Sequence, residues 1–226
     1  MSAADSLISG ENLACLRGDR LLFRDLAFAV PAGGAVLLTG PNGSGKTSFL
    51  RIVAGLLKPT HGTLSFRGEP VEEDPETFHA ALHYIGHRDA VKPMLTVAEN
   101  LTFWARLRGG RGQVGEALDG FGLSHLADLP ARFLSAGQKR RLGLARLLAA
   151  PAQLWLLDEP TVSLDKDSVA ALEGMIAEHR AGGGAVMAAT HIDLGLDGAE
   201  MLAFGPGRHR EGSVPDFGTD LFADAV

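Results

Sequence analysis

The sequence predicts an α/β domain with a mainly parallel core sheet, a small antiparallel β subdomain and an α-helical subdomain. Three observations carry that expectation. The apolar run 35–39 leads into Gly40-Pro41-Asn42-Gly43-Ser44-Gly45-Lys46-Thr47 and then into a segment of helical periodicity. The runs 154–157 and 185–189 are also short and continuously apolar, as strands buried on both faces of a parallel sheet are. Residues 11–30 instead mix apolar and polar positions, and 93–132 carry helical spacing, so two smaller units of different type accompany the core.

Taken in order, Leu13, Leu16, Leu21, Leu22, Phe23, Leu26, Phe28 and Val30 predict antiparallel strands, which Pro31-Ala32-Gly33-Gly34 turns toward the core strand. After Lys46, the residues Phe49, Leu50, Ile52, Val53, Leu56 and Leu57 mark one face of a helix expected to stop near Lys58-Pro59. Residues 62–68, bounded by Gly62 and Gly68, read as a further strand of the small sheet. Thr96 with Glu99 three positions on is a capping-box pattern, and Leu101, Phe103, Trp104 and Leu107 are expected to pack inward from that helix. Gly109-Gly110-Arg111-Gly112 breaks two helices. The expected organisation is one domain over 1–226. Its core and β subdomain take 1–86 and 150–205, the helical subdomain 87–149, and a mobile Gly/Pro-punctuated tail 206–226.

Composition narrows the class. A chain of 226 residues, 46% hydrophobic and 21% charged, is ordinary for a globular protein with a sizeable core. No apolar run approaches the roughly 18–20 residues a bilayer crossing takes, and the N-terminus lacks the basic-then-apolar pattern of a secretory signal. The single cysteine, Cys15, excludes an intrachain disulfide, fits a reducing compartment and reads as a small buried hydrophobe. A net charge of −6 and a pI near 5.7 give no basic footprint for nucleic acid, so no nucleic-acid partner is expected of this soluble, cytoplasmic chain.

The string 40–47 fits G-x-x-x-x-G-K-[ST]. Its glycines let successive backbone N–H groups curl around phosphates, Lys46 reaches the terminal phosphates, and the Thr47 hydroxyl can ligate Mg²⁺. Ser48 continues into a helix whose N-terminal partial charge faces the same anion. Leu154-Trp155-Leu156-Leu157-Asp158-Glu159-Pro160-Thr161 then delivers two carboxylates at the end of an apolar strand. By itself that pattern also describes a strand followed by an acidic turn. Beside a phosphate loop, Asp158 is placed to hold Mg²⁺ with Thr47, and Glu159 to polarise an attacking water as general base.

Between these motifs, Leu134-Ser135-Ala136-Gly137-Gln138 resembles the LSGGQ signature of ATP-binding-cassette (ABC) ATPases. The resemblance implies a P-loop NTPase fold of the ABC cassette type, with ATP and Mg²⁺ as cofactors. It also implies ATP buried between two copies, Ser135, Gly137 and Gln138 of one facing the phosphate loop of the other. Ser163-Leu164-Asp165 resembles the family's D-loop, which runs between protomers, and His191 takes the place of the switch histidine at the γ-phosphate. Two positions depart from the family. Where it presents a glutamine to Mg²⁺ and water, Tyr84-Ile85-Gly86-His87-Arg88 supplies His87. Where it stacks an aromatic on adenine stands Arg17, whose planar guanidinium can also stack; Phe23 is the nearby alternative, and both stay open. Lys139, Arg140, Arg141 and Arg146 read as a solvated helix face whose stems cover apolar surface.

Within the superfamily, Glu11-Asn12-Leu13-Ala14-Cys15, the stretch from Tyr84-Ile85-Gly86-His87 to 95–101, and the signature with Lys139-Arg140-Arg141 are similar to the ATP-binding subunits of cytochrome c maturation, the haem exporter (CcmA) family. That likeness implies an integral, CcmB-like permease partner, a homodimer of ATPase subunits in the complex, and a peripheral place on the cytoplasmic face of the bacterial inner membrane. The implied role is haem export or haem-chaperone release in c-type cytochrome biogenesis. An ATP-binding subunit of another ABC transporter, or an ABC ATPase acting on nucleic acid or the ribosome, are the alternatives. One cassette, no heptad run and negative charge favour the transporter subunit. The mixed surface of Val91, Pro93, Met94 and Leu95, within 87–104, is expected to dock the partner.

Overall fold

Two sheets pack across one hydrophobic cluster, and a second cluster lies beyond the larger sheet. The structure, a computed structural model, describes residues 6–108 and 113–205; the break expected at 109–112 and the tail at 206–226 lie outside the described residues. In chain order the elements are β1 (Ile8–Arg17), β2 (Arg20–Val30), β3 (Ala35–Thr39), α1 (Lys46–Val53), β4 (His61–Phe66), β5 (Glu69–Pro70), α2 (Pro75–Ala80), β6 (Leu82–Ile85), α3 (Val97–Leu107), α4 (Val114–Gly120), α5 (Ala136–Ala149), β7 (Leu154–Asp158), α6 (Lys166–Ala181), β8 (Ala185–Ala189) and β9 (Glu200–Ala203), with short 3-10 turns at Ser124–Leu126 and Ala131–Phe133. The small sheet runs β2-β1-β4-β5 and is antiparallel; the large one runs β6-β7-β8-β3-β9 and is parallel.

The apolar runs sit where two-sided burial demands them. Every residue of β7 and β8 is buried, and β3 lies between β8 and β9 with Leu38 level with Ala189 and Leu202. One core cluster fills the space between the two sheets around α1, where Phe49 meets Phe23, Phe28 and Phe204. The other lies on the opposite face of the large sheet, under α3, α4, α5 and α6. Cys15 is buried and free, as expected of a small hydrophobe. The strands β6 and β9 were not separable from loops in the sequence, since neither exceeds four residues.

Two expectations need correction. α1 stops at Val53, before Lys58-Pro59, because Gly55 takes a left-handed backbone (φ 69°) and the N–H groups of Leu56 and Leu57 turn back to the Arg51 carbonyl. Leu56 is therefore exposed. In α3 the capping box of Thr96 and Glu99 is present, and the inward face is Val97, Leu101 and Ala105. Phe103 and Leu107 point to solvent, Leu107 with 66% exposure, and Trp104 is half-buried beneath the Arg146 guanidinium at 3.9 Å.

Candidate active site

The site begins where β3 ends. Gly40 follows with φ 132°, and a Cβ there would overlap the Phe204 carbonyl, because Phe204 donates its N–H to Thr39 (2.7 Å). The chain then winds through Gly43 and Gly45, both left-handed, so that Gly45 becomes the residue preceding α1 and its carbonyl takes the Phe49 N–H. Lys46, almost wholly buried, donates its ammonium to the carbonyls of Gly40 (2.7 Å) and Pro41 (3.1 Å). Loop residues 42–48 line a cleft of about 280 Å³ together with Leu22, Asp158 and Glu159. The Ser44 hydroxyl, on that lining, is buried with no hydrogen-bond partner among the described residues. Such an orphan suits an anionic ligand's oxygen.

β7 brings its carboxylates to the same cleft. Asp158, 3% exposed, accepts the Thr47 hydroxyl at 3.0 Å and the Tyr84 phenol at 3.3 Å. Burial first, and the neighbouring Asp158 as well, hold the Tyr84 phenol above its ordinary pKa against the lowering influence of Arg51, so it stays a proton donor to the carboxylate. Tyr84 was not anticipated in the sequence. Glu159 is half-buried, carries a left-handed backbone (φ 50°), donates its N–H to Ala189 at 2.8 Å, and has Nε2 of the exposed His191 3.6 Å from its Oε1. The pair thus divides into a buried Asp158, held by two hydroxyls, and a Glu159 open to the cleft.

The remaining candidates fall elsewhere. Ser135 and Gln138 bond reciprocally, Ser135 Oγ accepting the Gln138 N–H (3.2 Å) and the Gln138 side chain accepting the Ser135 N–H (2.8 Å), and so cap α5. Together with Gly137 they stand outside the cleft of their own chain. A Cβ on Gly137 would come within 2.9 Å of the Ser163 carbonyl, so signature and D-loop segments pack directly on each other. Asp165 caps α6 by accepting the Ser168 N–H (2.9 Å), and the Ser168 side chain first, then this backbone bond, lower its pKa.

Three sequence readings change at this point. His87, two residues past the end of β6 at Ile85, is exposed and lines a different cavity, not the phosphate cleft. Phe23 is sealed in the core, edge-on to Phe49 and Phe204, and is excluded as an adenine platform; Arg17 stays exposed at the end of β1, outside the phosphate cleft. Arg140 and Arg146 are no solvated face: both are buried, since α5 lies against the loop after β6. Burial and then the nearby Arg108 bring the Arg146 pKa down to about 10. The second cavity, about 800 Å³, opens between the end of α1 and α3, with Arg51, Leu56, His87, Trp104, Leu107 and Arg108 on its walls.

A phosphate loop, a hydroxyl-bonded aspartate and an adjacent open glutamate now stand around one cleft, with a capped signature helix behind them. The sequence profile of the ABC transporter family matches residues 23–162, more than half of the chain and the whole of this arrangement. The chain belongs to the ABC transporter family. It is an ATP-binding chain and an ABC-type ATPase. It is 58% identical over 205 residues to the cytochrome c biogenesis ATP-binding export protein CcmA of Paramagnetospirillum magneticum, covering 88% of this chain and 94% of that one. To the protein of the same name from Rhodospirillum rubrum it is 54% identical, over 88% and 86% of the two chains. The fold matches the ATP-binding subunit of an ABC transporter with a TM-score of 0.79 at 24% identity, over 88% and 86% of the chains. It also matches an ATP-binding cassette of an ABC transporter in its ADP conformation, with a TM-score of 0.70 at 23% identity, over 88% and 87%.

Proposed function

We propose that this ABC ATPase is the peripheral, ATP-hydrolysing subunit of a bacterial inner-membrane complex for c-type cytochrome biogenesis. From the cytoplasmic face it would energise an integral, CcmB-like permease, through haem export or release of a haem chaperone. The observation that carries the reading is Thr47, Asp158 and Glu159 meeting at the phosphate cleft in a chain more than half identical to proteins named CcmA. No described helix is long and apolar enough to cross a membrane, so action on a membrane would go through a partner.

Lys46 and the N–H groups of 43–48 bind the phosphates, with Ser44 supplying a hydroxyl. The hard oxygen donors of Thr47 and Asp158, 3.0 Å apart, suit Mg²⁺; these two residues would hold the ion, and it would supply positive charge to offset that of the phosphates. Glu159 orients water and takes its proton as general base, and His191 donates to the γ-phosphate from beside it. Ser135, Gly137 and Gln138, outside their own cleft, serve the nucleotide of a second copy in a two-fold dimer, with Asp165 in the D-loop between the copies. Arg17 remains the residue assigned to the adenine. The core is assigned to 1–86 and 150–205 and the helical subdomain to 87–149. For the permease we assign the 800 Å³ cavity at their junction in place of Val91, Pro93, Met94 and Leu95, which do not line it, with His87 on its wall coupling partner to cleft. Cells relying on this chain for cytochrome c assembly provide the test. Glu159→Gln should abolish covalent c-type cytochrome while ATP binding persists. Unimpaired cytochrome c in that strain overturns the role.

A further inference from the structure

Arg140 does more than its place on a helix face suggested. It sits in the second turn of α5, is 3% exposed, and spends every N–H of its guanidinium. Nε donates to the Pro160 carbonyl (2.9 Å), Nη2 to the carbonyls of Asp158 (3.3 Å) and Glu159 (2.6 Å), and Nη1 to the Gly86 carbonyl (2.9 Å) and the Asp89 carboxylate (2.8 Å). One planar cation therefore ties three consecutive carbonyls at the end of β7 to the loop after β6.

The three carbonyls belong to the segment that aims the general base. Glu159 is held in a left-handed conformation that costs an ordinary residue free energy and lasts only where its surroundings over-determine it. Its N–H is taken by Ala189, and Arg140 takes its carbonyl and those on either side, so the Glu159 backbone is clamped from both directions. The same helix face grips the loop. A Cβ on Gly143 would press on Asp89 at 3.2 Å, and Arg146 reaches the Asp89 carbonyl at 3.5 Å. That loop also supplies Gly86, His87, Arg88 and Ala90 to the wall of the 800 Å³ cavity.

We propose that Arg140 is a positioning residue for Glu159, and that it makes the aim of the base depend on the loop 86–89. The inference rests on the assignment of Glu159 as base. Moving the loop moves Asp89 and the Gly86 carbonyl, two of the five acceptors that orient the guanidinium, and the remaining three are the Glu159 segment itself. A lysine keeps the charge but presents its donors from a single nitrogen, which cannot span that fork.

Steady-state ATP hydrolysis, fluorescent-nucleotide affinity and thermal unfolding of the purified protein test this, with wild type, Arg140→Lys, Asp89→Asn and Glu159→Gln side by side. Arg140→Lys should lower kcat by about tenfold to a hundredfold, the scale of a misplaced reacting group, while KM and nucleotide affinity stay within about twofold. Asp89→Asn, which leaves the carbonyl bonds intact, should lower kcat by about threefold with KM unchanged. A folded Arg140→Lys protein with wild-type kcat overturns the proposal. So do kcat and nucleotide affinity falling together with the folded fraction, the mark of a structural role alone. Should Arg140→Lys fail to fold, Asp89→Asn decides, and an unchanged kcat there refutes the link to the loop. Turnover surviving in Glu159→Gln strikes the assignment of the base instead, a separate failure.

Discussion

Acid should destabilise this protein through one buried histidine. His83, on β6, has no exposed surface and donates from Nε2 to the Ala150 carbonyl, leaving Nδ1 buried without a partner among the described residues. Burial above all, then the Arg108, Arg146 and His179 charges, outweigh that bond and bring its pKa down to about 3. The folded protein thus keeps His83 neutral while the unfolded chain protonates it near 6.5. Between those values the unfolded state binds more protons, so stability present above about pH 6.5 is lost as the pH falls, by about 1.4 kcal/mol per unit. From neutrality to pH 5 the loss from this group alone is about 2 kcal/mol. Urea unfolding followed by tryptophan fluorescence at pH 7 and pH 5 measures it. His83→Gln retains a donor for the Ala150 carbonyl but has no site for the proton. Other groups titrate equally in both proteins, so the wild type should lose about 2 kcal/mol more than the variant. Equal losses in the two would refute the reasoning.

Lys46→Ala removes the buried ammonium of the phosphate loop, whose charge-assisted bonds are each worth about 1.5–3 kcal/mol; calorimetry should show ATP affinity reduced by at least about tenfold. Gly40→Ala drives a methyl into the Phe204 carbonyl and should lower the thermal midpoint as well as nucleotide binding, and an unchanged midpoint would contradict the packing of β9 on the loop. Glu159→Gln with ATP should sediment as a two-fold dimer, and a species that stays monomeric at high concentration speaks against nucleotide shared between copies. Leu107→Glu, on the exposed wall of the large cavity, should release the protein from membranes when co-expressed with its permease and leave ATP binding intact.

The chemistry legible in the sequence was of one kind. Residues 40–47 form one contiguous glycine-punctuated turn into α1, so the string carries its own geometry, and Asp158 and Glu159 are placed simply by being where an apolar strand ends. Tyr84 could not be found that way. It reaches Asp158 from a neighbouring four-residue strand, and only the pairing of β6 with β7 brings the two together. Arg140 was hidden for a different reason: α5 is buried on most of its circumference, so its basic residues give no periodicity to separate a buried cation from a solvated one. For His87, position in a motif says nothing of which cavity the side chain lines. In α1, six apolar residues at helical spacing overran the true end, where one left-handed glycine outweighed the pattern.

The strand order carries a consequence for how the protein is made. β3 and its phosphate loop are translated well ahead of both neighbours of β3, the strands 185–189 and 200–203. At a ribosomal pace of about 5–20 residues per second, β3 waits on the order of ten seconds for them. Meanwhile β1, β2 and β4, joined by nearer contacts, can already close. During that interval Ala35-Val36-Leu37-Leu38 is an apolar segment with two open edges, the kind of segment that invites pairing with a wrong chain. The phosphate loop is thus synthesised well before the strands that hold it in place, and the cleft it shares with Asp158 and Glu159 forms only once they have joined.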